Sequence, residues 1–160
     1  MDHKHLIGKI SLFALRVSLG ALFLYAGMTK LLDPTWSAAG YLLNAKSFTG
    51  FYQWLAQPGI LPVVNFLNAW GLTLLGLALI LGIAVRLASD LGAILMLLYY
   101  GALSFPFPSA TAFIIDEHII YAIALLYLAA VGAGQVWGLE EWCMHTSFCK
   151  RHRIIHLLLA

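Results

Sequence analysis

Charge is what this 160-residue chain has least of. Only 10% of its residues are charged and 62% are hydrophobic, whereas soluble domains carry about 25% charged residues. That shortage excludes a soluble globular domain and places the chain in a membrane, with length for one domain. The net charge of +2 is small and scattered, which excludes nucleic acid as a partner. Two cysteines, Cys143 and Cys149, are too few for a disulfide framework. The chain has no Cys-x-x-Cys, no intramembrane histidine pair for haem and no Gly-rich nucleotide loop, so no haem, metal or nucleotide motif is present. It also lacks the ten-residue alternating segments of a β-barrel. The basic N-terminus followed by an apolar run is like a signal peptide. That run ends in Lys30-Leu31-Leu32-Asp33-Pro34 without a small-residue cleavage site, so a retained first helix is expected.

Four runs reach the roughly 20 residues needed to span a bilayer: Ile10–Leu32, Val63–Ala84, Leu87–Phe105 and Glu117–Val136. The expected fold is an all-α integral membrane bundle of four transmembrane helices, followed by a tail over 137–160. In the first run Arg16, Gly20, Phe23, Gly27 and Lys30 recur at helical spacing. Small residues admit a neighbouring backbone, so this side should face the bundle and meet the small side of the fourth run. Arg16 reads as an anchor or a structural ion pair. Residues 35–62 hold Trp36, Tyr41, Phe48, Phe51, Tyr52 and Trp54 with one charge, Lys46. Amphipathic aromatics prefer the membrane interface, so two short interfacial helices are expected, near Trp36–Leu43 and Phe48–Leu55. They form an aromatic belt, a lid over the bundle mouth, or both.

The second run opens with Asn65, Asn68 and Trp70 and carries Ala78-x-x-x-Gly82 as a packing stripe. Arg86 and Asp90, four apart, suit a structural ion pair across one helical turn. The third run packs through Ala88-x-x-x-Gly92 and brings Tyr99, Tyr100 and Ser104 to its far end. The fourth begins at Asp116-Glu117-His118. Such ionisable groups are rare at the lip of a membrane helix and usually face a cavity, a partner or a pathway. His118 shares a helix side with Ala122, Leu125, Ala129 and Gly132, with Tyr121 beside it. Seven of nine basic residues lie on the side of both termini (Lys4, Lys9, Arg16, Arg86, Lys150, Arg151, Arg153), against Lys30 and Lys46 on the other. The positive-inside rule then makes both termini cytoplasmic. Cys143, His145, Cys149, His152 and His156 could hold zinc, but their spacing matches no common finger. Reduced, unligated cysteines are expected.

Arg16-Val17-Ser18-Leu19-Gly20 with Leu24-Tyr25-Ala26-Gly27-Met28-Thr29-Lys30-Leu31 resembles the first helix of the DoxX/DoxD superfamily. Trp36-Ser37-Ala38-Ala39-Gly40-Tyr41-Leu42, Asn68-Ala69-Trp70-Gly71 and Asp116-Glu117-His118-Ile119-Ile120-Tyr121 are similar to the DoxD branch. The resemblance runs from Arg16 to Trp142. Many relatives carry an acidic residue early in the second helix, where this chain reads Gly71-Leu72-Thr73. The resemblance implies the membrane subunit of thiosulfate:quinone oxidoreductase in a prokaryotic cell membrane, active with a DoxA-like partner subunit. On that reading His118, Asp116 and Glu117 handle protons, while Lys30, Tyr121, Trp70 and Tyr100 hold substrate or quinone. Lys30 holds an anionic sulfur substrate or pairs with Asp33. The alternative is a non-catalytic accessory subunit of a respiratory membrane complex such as a terminal oxidase.

Overall fold

The computed structural model describes residues 3–108 and 113–145, and its elements are all helical. In chain order they are α1 (His3–Leu32), α2 (Ala39–Leu43), α3 (Thr49–Leu55), α4 (Leu61–Leu81), α5 (Val85–Ala102), α6 (Glu117–Ala130), a 3₁₀ turn (Ala133–Gln135) and α7 (Leu139–His145). Three of them, α1, α4 and α5, are long and apolar enough to cross a membrane, and α6 is a shorter apolar helix. Their outer faces expose Leu74, Leu91, Ile94, Leu97, Ile120 and Ile123. An apolar surface this extensive is unlike that of a soluble monomer and suits contact with lipid.

Glycine decides which helices pair. A Cβ on Gly27 would meet the Thr73 nitrogen at 2.5 Å, and one on Gly76 would meet the Gly20 carbonyl oxygen at 2.7 Å. The α1 and α4 backbones therefore touch along Gly20, Gly27, Thr73 and Gly76. The small side of α1 does face inward, but its partner is the second run, not the fourth as expected. α6 packs on α5 instead, where a Cβ on Gly92 would lie 3.1 Å from Leu125. The two pairs meet chiefly between α4 and α5. Leu19, Phe23, Leu72, Leu79, Met96, Leu125 and Leu128 fill the core between them.

The fourth apolar run is not one helix to Val136. α6 ends at Ala130 because Gly132 takes a left-handed φ of 61° and turns the chain. Fully buried Arg16 collects the carbonyls that follow: Nη1 donates to Ala133 and, at 3.0 Å, to Val136, while Nη2 donates to Trp137 at 3.3 Å. Gly132 is thus a helix terminator and not an interhelical contact. Gly82, expected in a packing stripe, likewise ends α4 with a φ of 67°. Its carbonyl accepts the Glu140 N–H at 2.9 Å, and Glu140 Oε1 accepts the Val85 N–H at 2.7 Å, satisfying an orphan donor at the start of α5. Burial pushes the Glu140 carboxyl above its ordinary pKa, against the Val85 hydrogen bond and the Arg16 charge. Arg16 is therefore an anchor for the α6–α7 connection.

The other expected pairs do not form. Arg86 and Asp90 make no ion pair among the described residues. A cation N-terminal to an anion is the weaker order on a helix, and Arg86 is exposed. Asp33 does not pair with Lys30. Its Oδ1 accepts the Thr35 N–H at 2.9 Å and the Thr35 hydroxyl at 2.6 Å, closing the turn after α1, and these bonds hold its pKa below the ordinary value. Cys143, expected as an unligated thiol, is not free. Cys149, His152 and His156 lie outside the described residues.

Candidate functional site at the bundle mouth

The aromatic connection is fastened across one end of the bundle. The Tyr52 hydroxyl donates to the Leu98 carbonyl at 2.6 Å and the Tyr41 hydroxyl to the Tyr99 carbonyl at 2.7 Å, both on α5. Asn65 Oδ1 on α4 accepts the Ala38 N–H at 2.9 Å, and the Ala102 carbonyl accepts the Lys46 N–H at 2.8 Å. Helices α2 and α3 are thereby held against α4 and α5 as a cover. Burial, aided by Tyr52, Tyr99 and Asp116, raises the Tyr41 phenol to about 12, so it stays a donor.

Under this cover lies a cavity of about 270 Å³, lined by Lys30, Trp36, Ser37, Ala38, Tyr41, Asn68, Tyr99 and His118. Five helices contribute, α1, α2, α4, α5 and α6, together with the connection between α1 and α2. Lys30 reaches it from the last turn of α1, donating to the Ala26 carbonyl at 3.1 Å with Nζ 5.4 Å from the Trp36 ring centroid. An ammonium has three donors, so two remain for a ligand, and no carboxylate pairs with Lys30 among the described residues. The cavity holds one uncompensated cation.

Asp116 explains how His118 is aimed. Its Oδ1 caps α6 by accepting the His118 N–H at 3.1 Å and the Ile119 N–H at 3.3 Å. Its Oδ2 lies 2.7 Å from His118 Nδ1. An ionised carboxylate can only accept, so Nδ1 carries the hydrogen and Nε2 is left as the working nitrogen. The imidazole meets Tyr99 edge-on, with ring centroids 5.7 Å apart. Asn68 Nδ2 donates to the Tyr99 hydroxyl at 2.5 Å, leaving that hydroxyl's own proton free to donate. Asn68 Oδ1 is buried without a partner.

Asn68 also lines a second, larger space. Between α4 and α5 runs an apolar groove of about 610 Å³, walled by residues such as Leu67, Gly71, Leu74, Leu91 and Leu98, with Asn68 the single side-chain polar group. Polar cavity and apolar groove thus abut at one amide.

Of the residues expected at the mouth, Lys30 and His118 line the cavity and Asp116 orients His118. Glu117 is exposed. Tyr121 packs against the core, Trp70 sits on the outer face beside Phe66, and the Tyr100 hydroxyl donates to the Ile114 carbonyl at 2.7 Å. The residues that sequence reasoning left out are Tyr41, Asn68 and Tyr99. Their signal was available: each is a polar group in or beside an apolar segment, at the end that also carries Lys30 and His118.

The match to the DoxX family model spans residues 11–105, more than half of the chain, and stops before the Asp116–His118 corner. No curated protein and no solved structure matches the chain. With its apolar helices, and with the glycine-rich first helix and the Lys30 mouth inside the matched segment, the chain belongs to the DoxX family.

Proposed function

We propose that this DoxX protein is a DoxD-like membrane subunit of a quinone-linked sulfur oxidoreductase, active with a second, DoxA-like subunit. One observation carries the reading. An uncompensated ammonium and a carboxylate-oriented imidazole face one covered cavity, beside an apolar groove that a quinone could use from the lipid. Two thiosulfate ions joined as tetrathionate release two electrons, and a quinone taking up two electrons and two protons becomes a quinol. Lys30 attracts the sulfur dianion, the Tyr99 hydroxyl donates to a quinone carbonyl, and His118 Nε2 takes up a proton from bulk water at the mouth and passes it to the quinone, twice per turnover.

The test is thiosulfate-dependent quinone reduction by the co-purified assembly. General acid–base groups contribute about 10²–10⁴-fold, so His118→Ala should lower turnover by about 10²-fold or more with little change in thermal stability. Unchanged turnover with lowered stability would make His118 structural and favour the accessory-subunit alternative.

The basic asymmetry further supports four membrane-embedded helices, α1, α4, α5 and α6, with both termini cytoplasmic and the mouth outside. A cysteine placed at Ser47 should react with an impermeant reagent applied from outside. Protection of that site, with labelling from within, would reverse the assignment.

A further inference from the structure

At the opposite end of the bundle the helices are mismatched. α1 runs for 30 residues and α6 for 14, or about 45 Å against about 21 Å. The α1–α4 contact begins near Gly20, and Arg16 already lies against Gly82 at the end of α4. The first three turns of α1 therefore run past α4, and a wedge opens between α1 and the outer face of α6.

That wedge is a cavity of about 450 Å³ lined by Lys4, His5, Gly8, Lys9, Leu12 and Tyr127. None of the six is acidic, and two are lysines. No ion-pair partner is found for Lys4, His5 or Lys9 among the described residues. Leu12 and the Tyr127 ring give the wedge an apolar wall, and the Tyr127 hydroxyl can donate. Gly8 adds a second observation. Its Cβ would meet nothing within 4 Å, so helix packing does not require a glycine there. The missing side chain leaves open space between the two lysines.

We propose that this wedge binds an anionic phospholipid, its phosphate between Lys4 and Lys9 and an acyl chain along Leu12 and Tyr127. Charge complementarity selects the ligand, because basic pockets between membrane helices suit anionic headgroups. The apolar wall selects a lipid over a free anion. The site lies at the far end from the mouth and does not depend on the reaction proposed there.

The full chain, purified in mild detergent and titrated with phosphatidylglycerol or phosphatidylcholine, can be followed by native mass spectrometry. Phosphatidylglycerol should be retained preferentially. Lys4→Gln and Lys9→Gln should each weaken it about fivefold, as expected for loss of one surface cation near an anionic lipid. Gly8→Leu, which keeps both charges and fills the cavity, should weaken it comparably. Arg86→Gln, removing an exposed cation near the same end, should leave it unchanged. Equal retention of the two lipids would overturn the proposal. So would an equal loss in Arg86→Gln, which would mean diffuse surface attraction, an unaffected Gly8→Leu, or displacement of the lipid by inorganic phosphate.

Discussion

Gly27→Leu and Gly76→Leu should each abolish the cooperative thermal unfolding transition of the purified protein, or lower its midpoint severely. At both positions even a single added carbon would lie well inside contact distance of backbone across the α1–α4 interface. Backbone cannot yield as a flexible side chain can. Overpacking of a well-packed core commonly costs about 1–3 kcal/mol, and separating two helices whose backbones touch should exceed that range. Gly71→Leu is the control, since a Cβ there meets nothing within 4 Å. It should unfold like the parent protein. Equal stability of all three variants would mean that α1 and α4 do not pair through glycine.

Removing Arg16 should cost nearly as much. Its guanidinium satisfies the carbonyls of Ala133, Val136 and Trp137 and lies over the Phe13 ring, whose edge-on partner is Trp137. Arg16→Met keeps much of the apolar stem but removes those three hydrogen bonds, leaving the Ala133 carbonyl the Val136 N–H at 3.3 Å, and takes a positive charge from beside buried Glu140. Breaking a buried charged cluster on one side costs about 3–5 kcal/mol. The pH dependence has a definite sign. Burial already raises the folded-state pKa of Glu140 above its unfolded value, and losing Arg16 raises it further. A group with a raised folded pKa contributes stability below its unfolded pKa and loses that contribution as pH rises. The variant should therefore be least stable, relative to the parent, at neutral and higher pH. Unfolding midpoints measured across the acidic to neutral range check this. A constant difference would remove Glu140 from the account.

Arg16 also shows where the sequence was legible and where it was not. An arginine about two turns into the apolar run from Ile10 is visible as a costly residue, yet nothing local says that its partners are carbonyls some 120 positions away. The same holds for glycine. Spacing reveals that Gly20 and Gly27 share a side, and that side does face a neighbour. Which helix fills it depends on shape, and Gly76 with Thr73 offers the flatter surface. Gly132 was misread because a glycine at helical spacing cannot be told from a terminator until its φ is known. The mouth was better specified. Lys30 and the Asp116–His118 corner stand out as ionisable groups at helix ends, and topology brings those ends together. Tyr41, Asn68 and Tyr99 were missed as a group because their relation is a hydrogen-bond pattern between three segments. Trp70 and Tyr100 lie two and one positions further along the same helices than Asn68 and Tyr99, and do not line the cavity.

The most direct test of the account is to photolabel the purified assembly with an azido-quinone in lipid nanodiscs. Modified residues would be mapped with and without excess unlabelled quinone. Competed adducts are expected on Tyr41, Asn68, Tyr99 or Lys30, reduced in His118→Ala. Adducts confined to lipid-facing positions such as Leu97 and Ile123, insensitive both to competition and to His118→Ala, would contradict a quinone site at the mouth.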